Sequence, residues 1–172
     1  MFRRSSVSFL IGLVFLGQLM APAPTAASEP TLSADMGGHA IPAIQVGQYY
    51  CHDFDYPRIH CFPTDARLEQ AVAAYGAGPL ATPGSASVAY VRVFQDASFS
   101  GNSMYISADY PDLDSIGWND KISSFYGLNN LAGAFYQNAY YTGLVYSFCC
   151  NTQVTYVGNV YNDMFSSVQH TP

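Results

Sequence analysis

The sequence predicts an all-β fold, a two-sheet β-sandwich, and three observations point to it. Aromatic residues make up 15% of the chain, with 14 Tyr and 11 Phe, while charged residues make up only 10%. Tyr and Phe favour strands, whereas helical bundles and disordered chains need more charge and fewer aromatics. The 14 Gly and 10 Pro supply many turns. Finally, two blocks recur in the same order. Phe94–Gly101 matches Tyr136–Gly143 at an offset of 42, and Trp118–Ser124 matches Tyr161–Ser167 at an offset of 43. Two copies cannot close a propeller. Each has room for about four short strands, and two such units packed face to face make a sandwich.

Along the chain, Met1–Arg4 is positively charged, Val7–Gly17 is apolar and Ala21–Ser28 is rich in small residues. This layout predicts a secretory signal peptide over 1–27, cut after Ala27 or Ser28. Its apolar run is shorter than the roughly 20 residues of a membrane span, so no stable membrane insertion is expected. Without the signal the basic residues are Arg58, Arg67, Arg92 and Lys121, and the net charge is −8. An acidic exported protein is the expectation, in a compartment where disulfides persist. That charge disfavours a nucleic-acid partner.

Residues 28–48 are small, polar and without a sustained period, and read as a loose, flexible arm. Residues 49–75 predict a Cys-bearing hairpin and a short helix. Cys51 falls opposite Cys61 and His52 opposite His60, around a turn at Asp53–Pro57. Thr64 or Asp65 can cap the helix, Leu68, Ala71, Val72 and Tyr75 share one face, and Gly76 supplies a stop. Residues 76–87 read as a linker. The sandwich then occupies 88–172, with halves at 88–130 and 131–172.

Within each half the first block suits a folded hairpin, one aromatic covering the turn while Gly takes a backbone conformation closed to other residues. The second block is Asn119-Asp120-x-x-Ser123-Ser124 in one half and Asn162-Asp163-x-x-Ser166-Ser167 in the other. It sets a carboxylate and hydroxyls beside a turn whose carbonyls can also point inward. Hard oxygen donors of this kind suit Ca²⁺. A single copy reads as an Asx turn before a strand; two copies at matching positions favour the metal.

These residues make 88–172 resemble a βγ-crystallin domain. Such a domain has two Greek-key motifs, each with an aromatic-x4-aromatic-x-Gly hairpin and an Asn/Asp-Asn/Asp-x-x-Ser/Thr-Ser calcium motif. The stretch Ile106–Leu113, leading into Gly117–Ser124, is also similar to microbial members. The resemblance implies a Greek-key β-sandwich, preceded here by the hairpin-plus-helix extension, with two Ca²⁺ sites shared between the motifs. One would use Asp120, the carbonyl of Lys121, Ser166 and a carbonyl from Gln95 or Gln137. The other would use Asp163, the carbonyl of Met164, Ser123 and the remaining Gln carbonyl. Asn119 and Asn162 would hold the loops, with Ser124 and Ser167 completing the motifs. The pair Cys149-Cys150, in a strand position of the second motif, departs from the family pattern.

Four cysteines allow three connectivities. Cys51–Cys61 across the hairpin suits disulfide geometry. Direct bridging of Cys149 to Cys150 looks strained, because neighbours in a strand face opposite sides. The rival arrangement ties Cys51 and Cys61 to Cys149 and Cys150. A zinc site at Cys51-His52 and His60-Cys61 fails to converge for the same reason of alternation.

No nucleophile elbow, metalloprotease helix or phosphate loop is present, so no enzyme is expected. The sequence thus predicts a secreted, non-catalytic, calcium-binding protein with a structural or stress-related stabilising role. Two alternatives are a secreted proteinase inhibitor, with an extracellular protease as partner, and a small toxin. An inhibitor needs a rigid protruding loop, and Asp53–Pro57 and Gly127–Gly133 are the candidates.

Overall fold

The computed structural model describes residues 31–77 and 89–171. The expected signal peptide (1–27) and positions 78–87 of the expected linker lie outside the described residues. Among the described residues no helix is long and apolar enough to cross a membrane.

The stretch expected as a loose arm is built of regular elements. β1 (Ser33–Met36) and β2 (His39–Ile41) form a hairpin. Its turn is Gly37-Gly38, both at positive φ, as the tight hairpin turns require. A 3-10 turn, Ala43–Gln48, follows. Strands of four and three residues are too short to show a period, and only Ala34 among them is fully buried, so composition alone hides them.

β3 (Tyr50–Asp55) and β4 (Arg58–Phe62) are the expected hairpin, with Cys51 opposite Cys61 and His52 opposite His60. A disulfide joins Cys51 and Cys61 in the core. α1 (Asp65–Ala77) starts at Thr64, whose Oγ1 accepts from the Arg67 N–H at 3.4 Å, and it runs one residue past the expected stop at Gly76.

The domain beyond adds seven strands. They are β5 (Tyr90–Asp96), β6 (Ser100–Ile106), β7 (Ser124–Leu128), β8 (Ala132–Asn138), β9 (Thr142–Phe148), β10 (Gln153–Val154) and β11 (Ser167–Thr171). They divide into two sheets, and each half lends its third strand to the other. β10 of the second half pairs with β7, and Tyr110 of the first half bridges to Val168 in β11. That exchange is the two-Greek-key sandwich. One sheet runs β11-β8-β9. The other is eight-stranded, β10-β7-β5-β6-β3-β4-β1-β2. The extension is therefore no separate unit: β3 pairs in parallel with β6, Cys51 facing Met104 and His52 facing Tyr105.

Between the sheets, Val91, Val93, Met104, Ile106 and Phe125 meet Phe135, Phe148, Phe165 and Val168. The Phe135 ring lies 5.0 Å from both Phe125 and Phe165. Each such side chain contributes roughly 1.5–3 kcal/mol through burial. Alternation turns Arg92 to the opposite face, where α1 covers it. Arg92 donates to Asp65, to Glu69 at 2.6 Å and to the Tyr126 hydroxyl at 3.0 Å. Its guanidinium lies over the Phe94 and Tyr105 rings.

Cys149 and Cys150 are not in a strand. They follow β9 in a turn, Cys150 at φ 61°, and are joined to each other. The expected strand position of the pair is thereby corrected: β9 ends at Phe148, and the backbone turns at Cys150. The rival tie between this pair and Cys51 and Cys61 is overturned.

Candidate metal centre

The two Asn-Asp-x-x-Ser-Ser loops have the same local construction. Asp120 and Asp163 sit at φ 54° and 53°, a left-handed conformation that Asp tolerates better than bulkier residues. Asn119 Nδ2 donates to Asp120 Oδ2 at 2.9 Å, and Asn162 Nδ2 to Asp163 Oδ2 at 2.7 Å. Each Asn thus steadies the neighbouring carboxylate. Both carboxylates are exposed.

The loops also interlock. The Asp120 N–H donates to the Phe165 carbonyl at 3.0 Å, and the Asp163 N–H to the Ile122 carbonyl at 3.4 Å. Each aspartate is therefore held beside the Ser-Ser pair of the other half. Ser123 Oγ lies 3.4 Å from Asp163 Oδ1. The corresponding pair, Asp120 and Ser166, is not hydrogen-bonded.

The serines of each loop divide their work. Ser124 Oγ donates to the Asp96 carbonyl at 2.6 Å and accepts from the Phe99 N–H at 3.1 Å. Ser167 Oγ does the same with Asn138 and Tyr141, at 2.7 and 3.1 Å. Both are fully buried, and both pin the folded hairpin of their own half. Ser123 and Ser166 point elsewhere. Their N–H groups donate to the carbonyls of Phe94 and Tyr136, at 3.0 and 2.9 Å. This places Gln95 beside Ser123 and Asp163, and Gln137 beside Ser166 and Asp120, an ordering the sequence leaves open.

The remaining side chains near the loops are occupied. Lys121 Nζ donates to the Gly117 carbonyl at 2.7 Å. Gln95 Nε2 donates to the Gly47 carbonyl, and Gln137 Oε1 accepts from the Leu144 N–H at 3.3 Å. What each loop has to offer is one carboxylate, one hydroxyl from the other half and main-chain carbonyls. That all-oxygen donor set fits a hard cation and not a soft one. Among the described residues no group of three His, Cys, Asp or Glu is placed to hold a metal. The Cys51–Cys61 bond also removes both thiolates of the zinc reading.

Two further features were not visible in the sequence. The 3-10 turn Ala43–Gln48 packs backbone to backbone on a second one, Leu113–Ile116, just before the first loop. A Cβ at Gly47 would collide with the Gly117 carbonyl, and one at Gly117 with the Ile44 carbonyl. Asp53 is fully buried and accepts from the N–H and Oγ of Ser107, both at 2.7 Å. Burial pushes its pKa up to about 6, against the pull of those bonds. Burial also lowers the neighbouring His52 to about 4, with His60 adding to the effect. Nothing local in the sequence marks either site, because both depend on the extension joining the sheet.

The fold is βγ-crystallin-like. Two Greek keys exchange their third strands, and each carries the hairpin and loop that its motif announced. The family model for peptidase inhibitor family I36 matches residues 81–148, less than half of the chain. Among solved structures, the chain is similar to a βγ-crystallin from an archaeon, at 24% identity and a TM-score of 0.45, covering 49% of this chain and 100% of that one. It is similar to a βγ-crystallin from Ciona intestinalis at 22% identity and a TM-score of 0.43, covering 48% and 99%. A double mutant of a βγ-crystallin domain from Clostridium beijerinckii gives 26% identity and a TM-score of 0.42, covering 47% and 94%. No curated protein matches the chain.

Proposed function

We propose that this is a secreted, non-catalytic protein whose Greek-key domain binds two calcium ions. One site takes Asp120, the Lys121 carbonyl, Ser166 and the Gln137 carbonyl. The other takes Asp163, the Met164 carbonyl, Ser123 and the Gln95 carbonyl. The observation that carries this reading is the shared construction of the two loops, above all the approach of Ser123 Oγ to Asp163 Oδ1 across the two halves. A hydroxyl and a carboxylate from different motifs meet there, so a cation bound between them ties the halves together.

One carboxylate per site neutralises half of the ion's charge. Affinity is therefore modest, on the order of 10⁻⁵–10⁻³ M, in the range of extracellular modules. The buried Cys51–Cys61 disulfide supports an oxidising compartment. A stabilising role in the extracellular medium follows from these properties. Calorimetric titration tests the assignment. Two calcium ions per chain are expected, one after Asp120→Ala or Asp163→Ala, and none after both. Equal stoichiometry in the wild type and the double variant refutes it.

A second reading, a peptidase inhibitor, is favoured by the match to family I36 over 81–148. That span contains Gly127–Gly133 and excludes Asp53–Pro57. The Gly127–Gly133 connection is braced, since the Asn130 N–H donates to Asn151 Oδ1 at 3.2 Å and Asn151 Nδ2 to Asn130 Oδ1 at 3.0 Å. Asp53, by contrast, is buried at the root of its turn. Inhibition assays against serine, cysteine and metalloproteases decide this reading: activity lost on changing Asn129 and Asn130 supports it, and no inhibition of any class removes it.

A further inference from the structure

We propose that the edge strand β9 pairs with β9 of a second copy, making this protein a two-fold dimer through its second motif. Exposed edge strands invite pairing, and proteins blunt them with short length, charge, proline or cover. Of the four sheet edges described here, three are blunted. β10 has two residues and β2 has three. β11 is bridged at Val168 by Tyr110. β9 has seven residues, and Thr142–Ser147 are exposed or half-buried. It carries no charged residue and no proline. Its one irregularity, the bulge against β8 between Tyr136 and Asn138, lies at its start and leaves Val145–Phe148 regular.

Charge identifies the occupant. The chain has a net charge of −6, so two copies repel each other wherever their acids face. Yet no Asp, Glu, Lys or Arg stands between Lys121 and Asp163. Five of the seven large apolar side chains exposed among the described residues lie in that charge-free stretch: Tyr140, Leu144, Val145, Tyr156 and Val160. Tyr140 is 71% exposed and Val145 45%. Two-fold pairing of β9 joins the copies through a strand, Thr142–Phe148, that carries no acid to face its counterpart. It also removes both open edges at once, because the same strand serves as both partners. The two three-stranded sheets become one of six strands.

The test uses the chain freed of residues 1–27. Sedimentation from low to high concentration reads the oligomeric state, and amide hydrogen exchange at both extremes reads β9. The expected result is a reversible dimer, with β9 amides exchanging more slowly as it forms. Val145→Lys, and separately Ser147→Lys at another exposed position of the strand, set like charges across the two-fold. Each should raise the dimer dissociation constant by about tenfold or more, with the melting temperature unchanged at concentrations where wild type and variant are both monomeric. A monomer at all concentrations overturns the proposal. So does a dimer whose β9 amides stay unprotected, a dimer untouched by both lysines, or open-ended association. Should a variant fail to fold, the exchange data on the wild type decide alone.

Discussion

Asp53 and His52 are neighbours in β3 with opposite responses to pH. Burial lifts Asp53 to about 6 from an ordinary 3.8, so the folded state favours its protonated form. Its contribution is complete below about pH 4 and is lost as pH rises through 6. His52 is lowered to about 4 from 6.5, so the folded state favours its neutral form. That contribution is complete above pH 6.5 and is lost as pH falls through 4. Each shift corresponds to about 3 kcal/mol, and the two slopes oppose each other across the same window. Asp53→Asn should leave the His52 slope uncompensated. Its melting temperature should then fall more steeply than the wild type's between pH 6.5 and 4, whereas parallel profiles contradict the assignment. The paired serines give a second contrast. Ser124→Ala or Ser167→Ala strands a buried carbonyl and N–H, at about 1–3 kcal/mol, with or without calcium. Ser123→Ala and Ser166→Ala should instead show their main loss only in calcium. Chemical denaturation in calcium and in chelator separates the two classes.

Among the elements, α1 hangs on Arg92. This guanidinium is buried, while its carboxylate partners Asp65 and Glu69 are half exposed. Removing it leaves Asp65 and the Tyr126 hydroxyl without this donor, and leaves Glu69 with the Tyr105 hydroxyl alone. Arg92→Ala should cost about 1–3 kcal/mol, read as a lower denaturation midpoint; a change under 1 kcal/mol means that α1 is held by the burial of Leu68 and the Tyr105–Glu69 bond instead. Elements were legible where the sequence repeats or mirrors itself. The hairpins of β5–β6 and β8–β9 share one pattern, and the symmetric Cys-His and His-Cys pairs fixed the register of β3 and β4. β1 and β2 were illegible because one buried alanine makes no period. The docking of β3 on β6 was illegible because parallel pairing between distant segments leaves no local mark. For the same reason the Gly47–Gly117 contact was hidden. In the candidate site the donor types could be read from the motif. The order of Gln95 and Gln137 could not, since it depends on which serine N–H meets which hairpin.

For the whole molecule, the exchanged strands and interlocked loops make each candidate site a joint between halves. A cation bound at a joint stabilises the folded state by mass action, by about 2.7 kcal/mol at a hundredfold excess over its dissociation constant. The extension shares this fate, because Gln95 also anchors the Gly47 carbonyl. The most direct measurement is the melting temperature of the chain freed of residues 1–27, in millimolar calcium and in chelator, beside the Asp120→Ala/Asp163→Ala double variant. The account predicts a clear rise with calcium for the wild type and none for the double variant. A wild-type melting temperature unmoved by chelator contradicts it.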